Sequence, residues 1–217
     1  MLVSMGVKVG DIAEAFQISP RRVRSLIAQG DIPAKKESGR WDIDAANLNR
    51  FRPIARPMSN RIGLALAQIF DAESDEIRAD ERYRLRRKLE KLPESGEPAR
   101  LVASWLQNRG DRIRFWCDDP SRLRNDSRIV LSGVCDPRAS LTMSNFIEGY
   151  VSQDNLQDIE IEYALFNASK IRKPANVILH IADLEKVYTL YLVADLAEYG
   201  EGRELDVANR IVEGRLC

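Results

Sequence analysis

A chain of 217 residues with 44% hydrophobic content holds apolar material for one large domain or two to three small ones, and its formal charge is zero. Charged residues interrupt every apolar stretch, so none reaches the roughly 18 to 20 residues of a membrane span, and the apolar run in residues 1–9 is too short for a secretory signal. Cys117, Cys135 and Cys217 are odd in number and lack ligand spacing, which argues for reduced thiols in a cytoplasm and against a disulfide framework or a zinc site.

The zero charge conceals two unlike ends. Up to Pro57, ten basic residues face six acids, whereas from Ile129 to the end eight basic residues face fourteen acids. The front is thus suited to phosphate, and the back to a different partner or to water alone.

In chain order, Val9, Ile12, Ala13 and Phe16 recur at helical spacing and predict a short amphipathic helix that Asp11 helps to cap. After a turn at Gln17-Ile18, Ser19-Pro20 is an N-cap residue followed by proline at the first helical position, opening a second helix that Gly30 stops. Val23, Leu26 and Ile27 share one side of it. The other carries Arg21, Ser25 and Ala28, flanked by Arg22, Arg24 and Gln29. Residues 32–43 read as two strands about a turn at Gly39, a small wing that brings Trp41 and Ile43 to one face. Asp44 then caps a predicted third helix, Ala45 to Phe51, and Pro53 and Pro57 close the module.

Longer helices come next: residues 60–69, Arg78 to Leu92 and Ala99 to Asn108. Beyond them are β-like runs at Arg112 to Cys117 and Arg128 to Leu131, and a helix over Asn155 to Leu165. A strand over Ala175 to Ala182 and helices over Tyr188 to Tyr199 and Arg203 to Arg215 complete the chain. The expected class is α+β, with a winged helix-turn-helix domain over 1–55, a helical segment over 56–110 and a mixed α/β C-terminal domain over 111–217.

The chemistry of the first module is that of DNA recognition. In such units the second helix enters the major groove, where arginine meets guanine bidentately and serine or glutamine meets other base edges. Arg21, Arg22, Arg24, Ser25 and Gln29 are therefore the candidate reading residues, with Lys8, Lys35, Lys36 and Arg40 placed for phosphate. The basic run Arg82-Tyr-Arg-Leu-Arg-Arg-Lys88 reads instead as a surface helix with internal ion pairs, because acids neutralise its flanks. Catalytic and metal-binding signals are absent: there is no phosphate loop, no nucleophile elbow and no His-Glu-x-x-His motif. The single histidine, His180, lies inside an apolar strand, which suits a structural role. No enzyme activity, cofactor or metal is expected.

Residues 9–51, with Asp-Ile-Ala-Glu, Ser-Pro-Arg-Arg-Val-Arg and Gly-Asp-Ile-Pro-Ala, resemble the excisionase and MerR-related helix-turn-helix superfamily. Later phrases resemble the bodies of actinobacterial type IV, AbiEi-like antitoxins: Arg56-Pro-Met-Ser, Arg82-Tyr-Arg-Leu-Arg-Arg-Lys-Leu, Val130-Leu-Ser-Gly-Val, Glu148-Gly-Tyr-Val and Asn176-Val-Ile-Leu-His. The resemblance implies a cytoplasmic, autorepressing antitoxin that binds double-stranded DNA at the operator of its own promoter and counteracts a nucleotidyltransferase-like toxin, while the single short recognition helix suggests a homodimer or several copies on repeated half-sites. The alternative is an excisionase-like recombination or architectural factor. A third reading, a MerR-like ligand sensor, requires a long dimerising helix that the breaks between Ser59 and Asn108 do not allow.

Overall fold

The computed structural model describes residues 8–16, 19–28, 32, 34–37, 40–43, 55–73, 77–141, 143–199 and 202–216. It is α+β, as the sequence predicts. The helix expected over Ala45 to Phe51 lies outside the described residues, as does Cys217.

Helix α1 (Val9–Ala15) is closed at its start by Asp11, whose carboxylate accepts the Lys8 amide at 3.1 Å. Helix α2 (Pro20–Ala28) begins on the proline, and the Val23 amide reaches back to the Ser19 carbonyl at 3.2 Å. Strands β1 (Ala34–Glu37) and β2 (Arg40–Ile43) pair antiparallel, with Ala34 opposite Ile43 and Lys36 opposite Trp41. Ile12, Ala13, Val23, Leu26, Ile27, Ile32 and Ile43 form one buried cluster, with Val9, Phe16 and Trp41 packed against it.

A second, larger cluster joins helices α3 (Asn60–Phe70), α4 (Ala79–Leu89) and α5 (Pro98–Trp105) to the C-terminal half of the chain. Its sheet consists of β3 (Asp111–Trp116), β4 (Val130–Leu131), β5 (Ile147–Val151), β6 (Phe166–Asn167) and β7 (Val177–Ile181), in the order β4-β5-β7-β3-β6. Only β5 and β7 run parallel, and the connection between them contains α6 (Gln153–Glu162), β6 and α7 (Ala168–Ile171). Helix α8 (Thr189–Ala197) is buried along its whole length and packs against α3, α5 and α9 (Arg203–Leu216).

Strands β5, β6 and the short α7 were not expected from the sequence. Every residue of β5 is buried. A strand covered on both faces loses the in-out alternation that marks a half-exposed one, and Glu148 and Gly149 dilute its apolar run further. Successive residues still point to opposite faces, so Glu148 and Tyr150 share a face with their register partners Ile178 and His180. Ile147, Val151, Val177 and Leu179 occupy the opposite face.

Gly149 lets β4 lie close against β5. A Cβ there would fall 2.8 Å from the Val130 carbonyl oxygen and 2.8 Å from Ile129 Cγ2. Gly63→Ala meets only the end of the Leu106 side chain, which can rotate away. Gly149→Ala should therefore lower unfolding free energy by about 1–3 kcal/mol in urea titrations, and Gly63→Ala by clearly less. Equal losses would contradict the close β4–β5 approach.

Candidate functional site

The N-terminal cluster divides α2 into two faces. Val23, Leu26 and Ile27 are sealed against the interior, while Arg21 and Arg24 are exposed and, among the described residues, unpaired. Lys8 is exposed at the start of α1. Lys36 is exposed on β1, its Nζ 5.6 Å from the centre of the Trp41 ring. Arg22 and Ser25 lie on α2, Lys35 on β1 and Arg40 on β2; their side chains are outside what is described. Gln29 lies outside the described residues altogether. The structure thus brings Arg21 and Arg24 to one exposed helix surface, with Lys36 on the hairpin.

Two arginines of the basic helix α4 are matched by acids of the helix and its C-cap, while its Glu81 is taken by α3. Arg84 pairs with Asp80 at 3.1 Å, Arg87 with Glu90 at 3.2 Å and Arg61 of α3 with Glu81 at 2.7 Å. The Lys88 ammonium lies 4.5 Å over the Trp105 ring.

The larger core encloses a polar network that sequence reasoning missed. Arg109, 2% exposed, lies between α5 and β3. Its Nε donates to Asp195 Oδ1 at 2.8 Å and to the Tyr150 hydroxyl oxygen at 3.0 Å, and its Nη1 donates to the Leu106 carbonyl at 3.1 Å. Nη1 also lies 2.6 Å from Glu198, which pairs through its other oxygen with Arg112 at 2.8 Å. The Ser132 hydroxyl donates to Asp195 Oδ2. Glu148 joins His180 Nε2 at 3.0 Å through one oxygen and accepts the Tyr199 hydroxyl at 2.9 Å through the other. The Tyr150 and His180 rings stack at 4.8 Å.

Burial alone would discourage charge on Arg109, but Glu198 and Asp195 outweigh it and hold the guanidinium well above its ordinary pKa. Burial likewise opposes ionisation of Glu198, yet Arg109 and Arg112 pull its pKa down to about 2. Burial, reinforced by Asp195, pushes the Tyr150 hydroxyl well above the usual phenol range, so it serves as a neutral donor. Burial also raises both described thiols, Cys117 and Cys135, which are unpaired in the core.

Glu148, His180 and Asp195 place one donor atom each within 4.8 Å of one another. Histidine with two carboxylates is a donor set that suits zinc and related cations. Here those lone pairs are already engaged: both Glu148 oxygens have partners, and Asp195 Oδ1 receives Arg109 and Tyr150. The guanidinium supplies the positive charge a cation would bring, and a metal at Asp195 would have to displace it. The arrangement fits a closed ion and hydrogen-bond network rather than a metal centre.

No protein-family model, curated protein or solved structure matches this chain. Among the described residues, no helix is long and apolar enough to cross a membrane.

The network makes the fold sensitive to substitution and to acid. Asp195→Ala should cost about 3–5 kcal/mol in urea unfolding, because it leaves the buried Arg109 charge under-compensated. Because Glu198 titrates lower folded than unfolded, the unfolded chain takes up the proton first as pH falls. Its stabilisation is complete above the ordinary carboxylate value of 4.5 and disappears as pH drops towards about 2. Glu198→Gln should then be less stable than the parent by roughly 3 kcal/mol at neutral pH, with the gap closing in strong acid. A gap that stays constant with pH would show that Glu198 is not held ionised by its arginines.

Proposed function

We propose that this chain is a sequence-specific regulator of transcription that binds double-stranded DNA, with α1, α2 and the β1–β2 hairpin acting as a winged helix-turn-helix. The observation that carries this reading is the partition of α2: Arg21 and Arg24 face solvent while Val23, Leu26 and Ile27 anchor the helix from behind. An anchored helix with outward guanidinium groups near its N-terminal half can enter a major groove without rearranging its own core. Arg21, Arg22, Arg24, Ser25 and Gln29 read base edges in this scheme. Lys8, Lys35, Lys36 and Arg40 contact phosphates, adding affinity and salt dependence without sequence choice.

The DNA bound is the operator of the protein's own promoter, and the acidic remainder of the chain engages a nucleotidyltransferase-like toxin. The antitoxin role rests on the resemblance of the Val130, Glu148 and Asn176 phrases. Co-expression with a neighbouring nucleotidyltransferase gene tests it directly, since failure to relieve toxicity would remove the antitoxin half and leave the regulator half standing. An excisionase-like factor would instead bend attachment-site DNA beside an integrase gene.

Gel shift and fluorescence anisotropy on the upstream DNA should show a loss of about 10- to 100-fold in affinity for each guanine contact removed by Arg21→Ala or Arg24→Ala. Lys36→Ala should weaken binding to all sequences alike and reduce the salt slope by about one. Unchanged affinity in the double arginine variant would rule out α2 as the reading helix.

A further inference from the structure

The outer edge of the large sheet is formed by β6, which pairs with β3 on one side only. The chain around it exposes three large apolar side chains: Ile161 at 72%, Phe166 at 50% and Ile171 at 38%. They fall within eleven residues of sequence on the end of α6, on β6 and on α7. Among the described residues only Tyr83 and Met143 are further exposed large hydrophobics, so this segment holds most of them. Two non-glycine residues with left-handed backbone bracket the strand, Ala164 at φ 50° and Arg172 at φ 56°. They end α6 and α7, where the Leu165 amide returns to the Glu160 carbonyl at 2.9 Å and the Lys173 amide to the Ala168 carbonyl at 3.1 Å.

Charge is sorted along the same segment. The helix before the strand carries Asp154, Asp158, Glu160 and Glu162; the residues after it include Lys170, Arg172 and Lys173. Within the chain, Glu162 is matched by Arg128 at 2.6 Å, and Lys173 lies 3.1 Å over the Trp116 ring. Among the described residues, Asp154, Asp158, Glu160, Lys170 and Arg172 make no ion pair.

We propose that the β6 edge is the two-fold interface of a homodimer, β6 of one copy lying antiparallel to β6 of the other. Antiparallel pairing sets the segment before the strand in one copy beside the segment after it in the other. The acidic α6 therefore meets the basic α7 segment twice, related by the axis, while Ile161, Phe166 and Ile171 close over one another between them. Parallel pairing would set acid against acid and base against base. An isologous contact needs one surface complementary to itself, and this edge is such a surface. An unrelated partner would not require both signs of charge in this order. The proposal stands apart from DNA binding, because the edge belongs to the larger core and is tested without DNA.

Sedimentation velocity of the full chain over a concentration series should show a monomer of 24.6 kDa passing into a dimer. Phe166→Asp, at an exposed position, should weaken the dimer constant by about 30-fold, the equivalent of about 2 kcal/mol. Lys170→Glu with Arg172→Glu should weaken it by about 10-fold. Adding Asp158→Lys and Glu160→Lys to that variant should restore most of the loss, a rescue that damage to the fold would not produce. Circular dichroism verifies that each variant is folded. A parent chain that remains monomeric at high micromolar concentration overturns the proposal, as does a folded Phe166→Asp variant that dimerises like the parent, or a reciprocal charge exchange without rescue.

Discussion

A guanidinium group withdrawn from water governs the architecture of the larger core. Arg109 has to be met by carboxylates and by oxygen atoms with the right geometry, since a lone buried charge would cost more than a domain's whole net stability. Asp195 must therefore face inward from α8, Tyr150 inward from β5, and the Leu106 carbonyl at the end of α5 must accept the guanidinium as well as the Arg109 amide. These demands fix the rotation of α8 about its own axis and its height above the sheet. Ser132 and Tyr199 satisfy the remaining carboxylate oxygens of Asp195 and Glu148. Ion networks of this depth add little net stability over a well-packed apolar core. What they impose is geometry: any other packing of α8 leaves several charges unmatched at once.

The same constraint explains the register of the parallel pair. Tyr150 lies opposite His180, so the rings stack, and Glu148 reaches His180 Nε2 from the same face. A slip by one residue would turn Tyr150 and Glu148 to the apolar face beside Val177 and Leu179, removing partners from Arg109 and His180 together. Gly133, with its positive φ of 55°, allows the chain to pass beside the Glu148 carboxylate where a Cβ would collide with it.

The N-terminal cluster is organised differently. Its buried residues are all apolar, it contains no buried ion pair among the described residues, and its charged groups remain outside. Such a unit leaves its basic surface available for a partner, whereas the larger core uses its deepest charges on itself. The uneven charge of the two ends in the sequence thus combines two separate effects: exposed base at the front, and at the back a mixture of exposed acid and acid enclosed in the core.

Local structure is legible in the order of residues alone. Helical spacing of Val9, Ile12, Ala13 and Phe16, the Ser19-Pro20 start, the Trp41–Ile43 face and the apolar runs of α3, α5 and α8 all arise from contacts within a few residues. Those signals are present before the chain folds. The convergence of Arg109, Tyr150 and Asp195 came only with the packed fold, since 41 and 86 residues separate the arginine from its partners. So did the burial of Glu148, a residue with nothing local to mark it. A charged residue in a sequence reads as exposed, and only the arrival of matching groups from distant segments makes its burial tolerable in free energy. The reason Ser132, Glu148 and His180 belong to one network is spatial, and no periodicity along the chain encodes it.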